Sequence, residues 1–110
     1  MFQTQCLKIK LKPGTTDYVL DFIRNLDREE VYEVLRLETM VVETLFLERT
    51  RDADYLIMYA KAESLIRANE AMVNSGHPHF ESLKKFTDET WGEITAFELL
   101  ADYERIAQVE

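Results

Sequence analysis

Leu7, Ile9 and Leu11 alternate with Cys6, Lys8 and Lys10. This period of two predicts a first strand with one strongly apolar face. Pro13-Gly14 then turns the chain, and Thr15, Thr16 or Asp17 is placed to cap a helix. Val19, Phe22, Ile23 and Leu26 form its inward side. Val31, Val34 and Leu35 renew the helical spacing, and no Gly or Pro interrupts it. The pattern favours one long helix bent near Asp27, although Asp27 and Glu30 have the spacing of a capping box and would also suit two helices.

Positions 40–47 are rich in β-branched and large apolar residues, and the polar segment 49–54 separates them from the run Tyr55-Leu56-Ile57-Met58-Tyr59-Ala60. Two such runs predict an antiparallel hairpin. Over 62–75, Leu65, Ile66, Ala68, Met72 and Val73 recur at helical spacing, with Gly76 as the closing residue. Pro78 suits the first turn of another helix that turns Phe80, Leu83 and Phe86 inward. A last strand is expected from residue 93 to about residue 100, followed by a tail, 101–110, in which Tyr103 and Ile106 have the spacing of a short helix.

This order, strand, helix, strand, strand, helix with an added helix, strand, is the β-α-β-β-α-β order of the ferredoxin-like α+β fold with an antiparallel sheet. The whole chain, 1–110, reads as one such domain. Helices in that motif cover one side of the sheet. The second side carries too many apolar groups to remain in water, which predicts a homodimer packed face to face.

Composition narrows the partners. The 110 residues include 21 acidic and 13 basic side chains, for a net charge of -8. Such a surface repels phosphate backbones, and no Lys or Arg cluster is dense enough to release counter-ions from nucleic acid. The lone Cys6 excludes an intrachain disulfide and any cysteine-based zinc motif, and favours a reducing cytoplasm. No basic segment precedes a long apolar run at the start, and no stretch reaches the roughly 18 apolar residues of a membrane span. The expectation is a soluble cytoplasmic protein with neither nucleic acid nor membrane as partner.

The segments Val42-Glu43-Thr44-Leu45-Phe46-Leu47-Glu48-Arg49, Asp54-Tyr55-Leu56-Ile57-Met58-Tyr59, Ala62-Glu63 and Gly76-His77-Pro78 resemble a small uncharacterised bacterial family of the dimeric α+β barrel superfamily. Lys12-Pro13-Gly14 resembles its opening turn. The resemblance covers most of residues 5 to 91 and implies a dimeric barrel. The family pattern has a second histidine a few residues after the His-Pro pair, where Leu83 stands here; His79 occupies another position. The superfamily includes cofactor-independent monooxygenases, sugar mutarotases, haem enzymes and proteins without known activity, so the fold does not select a reaction.

Among the side chains themselves, His77 and His79 are the two whose ordinary pKa lies near neutrality, which makes His77 the simplest candidate general base. A His-x-His pair at a helix start diverges, and no third nitrogen ligand exists, so no metal is expected. Glu43 interrupts an apolar strand and falls on the opposite face from Glu48. A carboxylate on a covered face needs a cation such as Lys8, Lys10 or Arg49, or else a raised pKa. Tyr59 shares a strand face with Tyr55, and Trp91 and Phe97 frame the last strand.

With three glycines, the chain has no phosphate-cradling loop, and no catalytic triad motif or nucleotide fingerprint occurs. No cofactor is expected. The reading is a homodimer that binds a small, mainly apolar or amphipathic molecule, fatty-acid-like or polyketide-like. Phe46, Met58, Tyr59, Met72, Phe80, Phe86 and Trp91 motivate it, with Lys8, Tyr59 or His77 available to its polar end and His79 as a further ligand contact. Two rivals accompany it. One is a cofactor-independent monooxygenase or isomerase with His77 as base, Glu43 as an orienting or acidic group, and Tyr59 or Trp91 positioning the substrate. The other is a purely structural dimer.

Overall fold

The computed structural model describes residues 2–74 and 76–105. Its elements are β1 (Gln3–Leu11), α1 (Thr16–Arg24), α2 (Arg28–Leu37), β2 (Met40–Arg49), β3 (Asp54–Ala62), α3 (Leu65–Asn74), α4 (Pro78–Thr90) and β4 (Trp91–Ala96). The strands form one antiparallel sheet in the order β2-β3-β1-β4. This is the ferredoxin-like α+β arrangement.

Strand parity decides which side chains meet the helices. Ile9 and Leu11 of β1, with Leu56, Ala60 and Ala62 of β3, point inward and are buried. They pack with Val19 of α1 and Phe86 of α4 to make the core, and Phe22, Ile23, Leu45, Leu47 and Met58 pack around it. Each large aliphatic side chain buried there contributes about 1.5–3 kcal/mol. Phe22 and Phe86 stack nearly parallel with ring centroids 4.0 Å apart, joining α1 to α4.

The long helix expected over α1 and α2 is instead two helices. Asn25 donates its backbone N–H to the carbonyl of Asp21 and Leu26 to that of Ile23, which closes α1. The Asp27 carboxylate then accepts from the backbone N–H of Glu29 at 2.9 Å and starts α2. Without Gly or Pro, a competent N-cap is enough to restart the helix in a new direction.

The turn from α2 into β2 is unusual. Thr39 has φ 58°, a left-handed conformation that a β-branched residue rarely adopts. Three contacts with the segment after β3 hold it there. The Thr39 carbonyl accepts from the backbone N–H of Glu63 at 2.8 Å. Its hydroxyl donates to the Ser64 carbonyl at 3.2 Å and accepts from the Ser64 N–H at 3.3 Å.

β4 is shorter than expected and ends at Ala96. One further rung, from the Phe97 N–H to the Cys6 carbonyl at 3.0 Å, extends its pairing with β1. The segment 97–105 forms no helix, and Ile106 of the expected tail helix lies outside the described residues. Asp102 anchors this segment by ion-pairing with Lys61 at 2.7 Å and accepting from the Thr4 hydroxyl at 2.5 Å. That contact covers one end of the sheet's outer face. At the other end Phe46 remains 57% exposed.

Candidate functional site

Between the sheet and the helices lies a partly enclosed chamber of about 230 Å³. Its floor is Leu7 of β1, Met40 and Leu45 of β2, and Leu56 and Met58 of β3. Phe22 and Ile23 of α1, Leu65, Ala68 and Met72 of α3, and Leu83 and Phe86 of α4 form the walls, with Trp91 at the start of β4. Neutral polar groups come from Gln5, Asn69 and Thr87, and the charged groups are Glu38 and Glu43.

The two carboxyls reach the chamber by different routes. Glu38 caps the C-terminus of α2, donating its backbone N–H to the Val34 carbonyl, immediately before the strained Thr39. The pinned turn therefore fixes the direction in which the Glu38 side chain leaves the backbone. Glu38 is only 8% exposed. Glu43 lies on β2 with the inward parity of Leu45 and Leu47 and stands at the edge of the chamber, where solvent still reaches it.

Among the described residues, neither carboxylate has an ion-pair partner. The cations expected for Glu43 are engaged elsewhere or point away. Lys8 pairs with Glu48 at 2.9 Å and lies over the Tyr55 ring on the outer face, while Arg49 pairs with Asp54 at 3.8 Å.

Burial without compensation favours the neutral acid. Burial first, and the Glu43 charge second, push the Glu38 carboxyl up from its ordinary 4.5 to about 7. Glu43 is exposed as a residue, yet partial desolvation of its carboxyl beside the apolar walls raises its pKa above the ordinary carboxylate value. Near neutral pH the chamber thus holds a carboxyl pair that can gain or lose a proton. A second feature is unsatisfied too: the buried indole N–H of Trp91 has no acceptor among the described residues.

Glu43 stands at a junction. A shallower groove beside the chamber shares Ile23, Leu26, Glu43 and Leu45 with it and adds Arg24, Arg28, Val31, Tyr32 and Leu35. The groove is lined from both sides of the helix break at residues 25–27, by Arg24 before it, Leu26 within it, and Arg28 and Val31 after it.

Residues 2–108 match the profile of a family of unknown function, DUF6176. The chain belongs to that family. No curated protein matches its sequence. Among solved structures it is similar to an L-rhamnose mutarotase from Formosa agariphila, at 13% identity and TM-score 0.65, with 93% of this chain and 99% of the other covered. It is also similar to a dimeric ferredoxin-like protein from an uncultured marine organism, at 11% identity and TM-score 0.66, covering 96% and 100%. A third is SnoaB, a cofactor-independent oxygenase from Streptomyces nogalater, at 17% identity and TM-score 0.58, covering 92% and 95%. At such identities the likeness establishes the fold, and with it the resemblance to dimeric α+β proteins, while chemistry has to be argued from the site.

The structure gathers Glu43, Met58, Met72, Phe86 and Trp91 of the residues singled out in the sequence. It places the others elsewhere. His77 caps α4, its Nδ1 accepting from the His79 N–H at 3.1 Å and its Nε2 lying 3.5 Å from Glu33. The His79 ring lies 3.9 Å from Glu30. Both histidines therefore pack against α2, and neither lines the chamber. Phe80 is buried, with the His77 ring edge-on to it at 6.1 Å. Lys8, Phe46 and Tyr59 share the outer-face parity, since Lys8 and Phe46 both pair with Ile57, and Tyr59 lies two residues along β3.

Glu38 was not legible as a site residue. A glutamate after a helical run ordinarily reads as a solvated position. The signal lay in the absence of any Gly or Asn at the α2–β2 turn, which has to adopt a left-handed residue there.

Among the described residues, no group of three or more His, Cys, Asp or Glu is placed to hold a metal ion. No helix there is long and apolar enough to cross a membrane.

Proposed function

We propose that this protein is a homodimeric small-molecule-binding domain, with the ligand seated in the chamber between sheet and helices. One observation carries the reading: an apolar chamber is lined by Glu38, a residue only 8% exposed whose carboxyl has no ion-pair partner among the described residues. Convergent polar groups in a mainly apolar cavity characterise ligand sites. A core shaped by stability alone would fill the space or pair the charge.

The volume of about 230 Å³ lies below the roughly 300–1,000 Å³ of drug-sized pockets. This suits a compact body against Met58, Met72 and Phe86, rather than a whole fatty-acid chain. An elongated molecule would extend into the groove past Glu43. Dimerisation through the outer face is supported by exposed Phe46 and Val42, and by the dimeric state of one structural neighbour.

The enzymatic alternative gains one specific support. Glu38, near neutrality, is suited to general acid–base work inside the chamber, whereas His77 stands outside it.

Native mass spectrometry of the purified protein, paired with denaturing analysis, tests the binding reading. The expected result is a dimer carrying a small molecule that is released on unfolding, or one that takes up compact apolar probes saturably. A chain that retains nothing and binds no such probe would support the structural-dimer reading instead.

A further inference from the structure

If the chamber is a ligand site, its chemistry points to the charge of the ligand. Every titratable group facing the chamber is acidic. β2 contributes Glu43 and the end of α2 contributes Glu38, while α1, α3, α4, β1 and β3 present apolar or neutral polar groups only. Arg24, Arg28 and Tyr32 line the outer groove alongside Glu43, and among the described residues no basic side chain forms an ion pair with either carboxylate.

Aromatic rings shape the apolar part of the site. Phe22 and Phe86 stack at 4.0 Å and line the same chamber as Trp91. The facing surfaces of the two rings cover each other, and what they present to the chamber is an apolar wall for a hydrocarbon body. A neutral ligand would use the apolar wall but leave the carboxyl pair unused, and an anion would be repelled by the pair.

We propose that the chamber recognises an organic cation, a compact amphipathic amine whose ammonium lies between Glu38 and Glu43 and whose hydrocarbon body rests against Phe22, Met58, Met72 and Phe86. This rests on the reading of the chamber as a ligand site. The free site satisfies itself by holding a proton on the carboxyl pair, and the ammonium replaces that proton as the source of positive charge. Binding therefore releases a proton, in an exchange that balances charge. The net charge of -8 further steers cations toward the protein.

Three probes of one shape distinguish the outcomes: cyclohexylamine, cyclohexanol and cyclohexanecarboxylate, titrated calorimetrically into the intact protein between pH 6 and 8. The amine stays protonated throughout that range, as lysine does. The expected result is that the amine binds more tightly than the alcohol at pH 8, and that the carboxylate does not bind. Amine affinity should rise about tenfold from pH 6 to pH 8, and near pH 7 about half a proton should be released per amine bound, measured in buffers of different ionisation enthalpy. Glu38→Gln and, independently, Glu43→Gln should weaken the amine and spare the alcohol. Binding of the alcohol as tight as that of the amine, or amine binding that ignores pH and both substitutions, would overturn the cation assignment and leave the ligand site standing. If none of the three probes binds, the cation assignment is overturned, and the ligand-site reading falls with it only if native mass spectrometry also finds no retained molecule.

Discussion

Glu38 and Glu43 line one apolar chamber, and the charge of Glu43 adds to burial in raising the Glu38 carboxyl to about 7. Two acids placed without a cation among the described residues cost stability, and that cost is measurable.

The first consequence is a pH dependence. The folded protein holds the Glu38 proton more tightly than the unfolded chain, where the carboxyl titrates near its ordinary 4.5. Stability contributed through this group is therefore intact below about pH 4.5, falls as pH rises toward 7, and stays lowered above it. The shift corresponds to roughly 3 kcal/mol. Glu38→Gln should stabilise the fold at pH 8 by up to about that amount and change little at pH 4.5, as read from denaturant unfolding at both pH values.

Glu43→Gln is expected to lower the Glu38 midpoint without restoring it to 4.5, because burial is the larger cause and Glu43 the smaller. Carboxyl carbon shifts followed against pH report the midpoint directly. Since Glu43 faces the helices and no ion pair to it is found among the described residues, this substitution should also leave the dimer intact. Loss of the dimer would place Glu43 in the seam.

Thr39 is strained but well bonded, so two replacements should separate the two effects. Thr39→Ala keeps the left-handed backbone and loses the Ser64 contacts, at a cost of about 1–2 kcal/mol. Thr39→Gly loses the same contacts but relieves about 1 kcal/mol of strain, so it should melt above Thr39→Ala. An alanine variant as stable as the parent would show that the turn does not depend on these bonds.

Much of the fold was readable because strands announce themselves by alternation. Leu7, Ile9 and Leu11, and the run from Tyr55 to Ala60, specify their faces by parity alone. The break at residues 25–27 was ambiguous because a polar cap restarts a helix without Gly or Pro. The chamber's apolar wall was partly legible, through Met58, Met72, Phe86 and Trp91. Its chemistry was not. Glu38 owes its burial to a turn pinned by Ser64, 25 residues away, and no local pattern encodes such a contact. The histidines drew attention by their pKa range, yet the same side chains serve as a helix cap and as neighbours of Glu30 and Glu33.

Dimerisation is tested on the outer face. Phe46, more than half exposed, sits opposite Ile57 in the β2–β3 register. Specific interfaces usually bury at least about 1,000 Å² in total. Sedimentation should give twice the 13.0 kDa chain mass, and Phe46→Glu should shift it toward the monomer without changing the far-ultraviolet circular dichroism. A parent protein that is monomeric at micromolar concentration would contradict the proposed dimer.

The central claim, that the chamber between sheet and helices is a ligand site, is tested most directly through its methionines. Met40, Met58 and Met72 all line the chamber, so their methyl groups report its occupancy whatever the charge of the ligand. With methyl-labelled methionine and increasing cyclohexylamine or cyclohexanol, the three resonances are expected to shift together and saturate at a common midpoint. Three methyl signals that stay fixed with both probes, or that drift linearly without saturation, would contradict it.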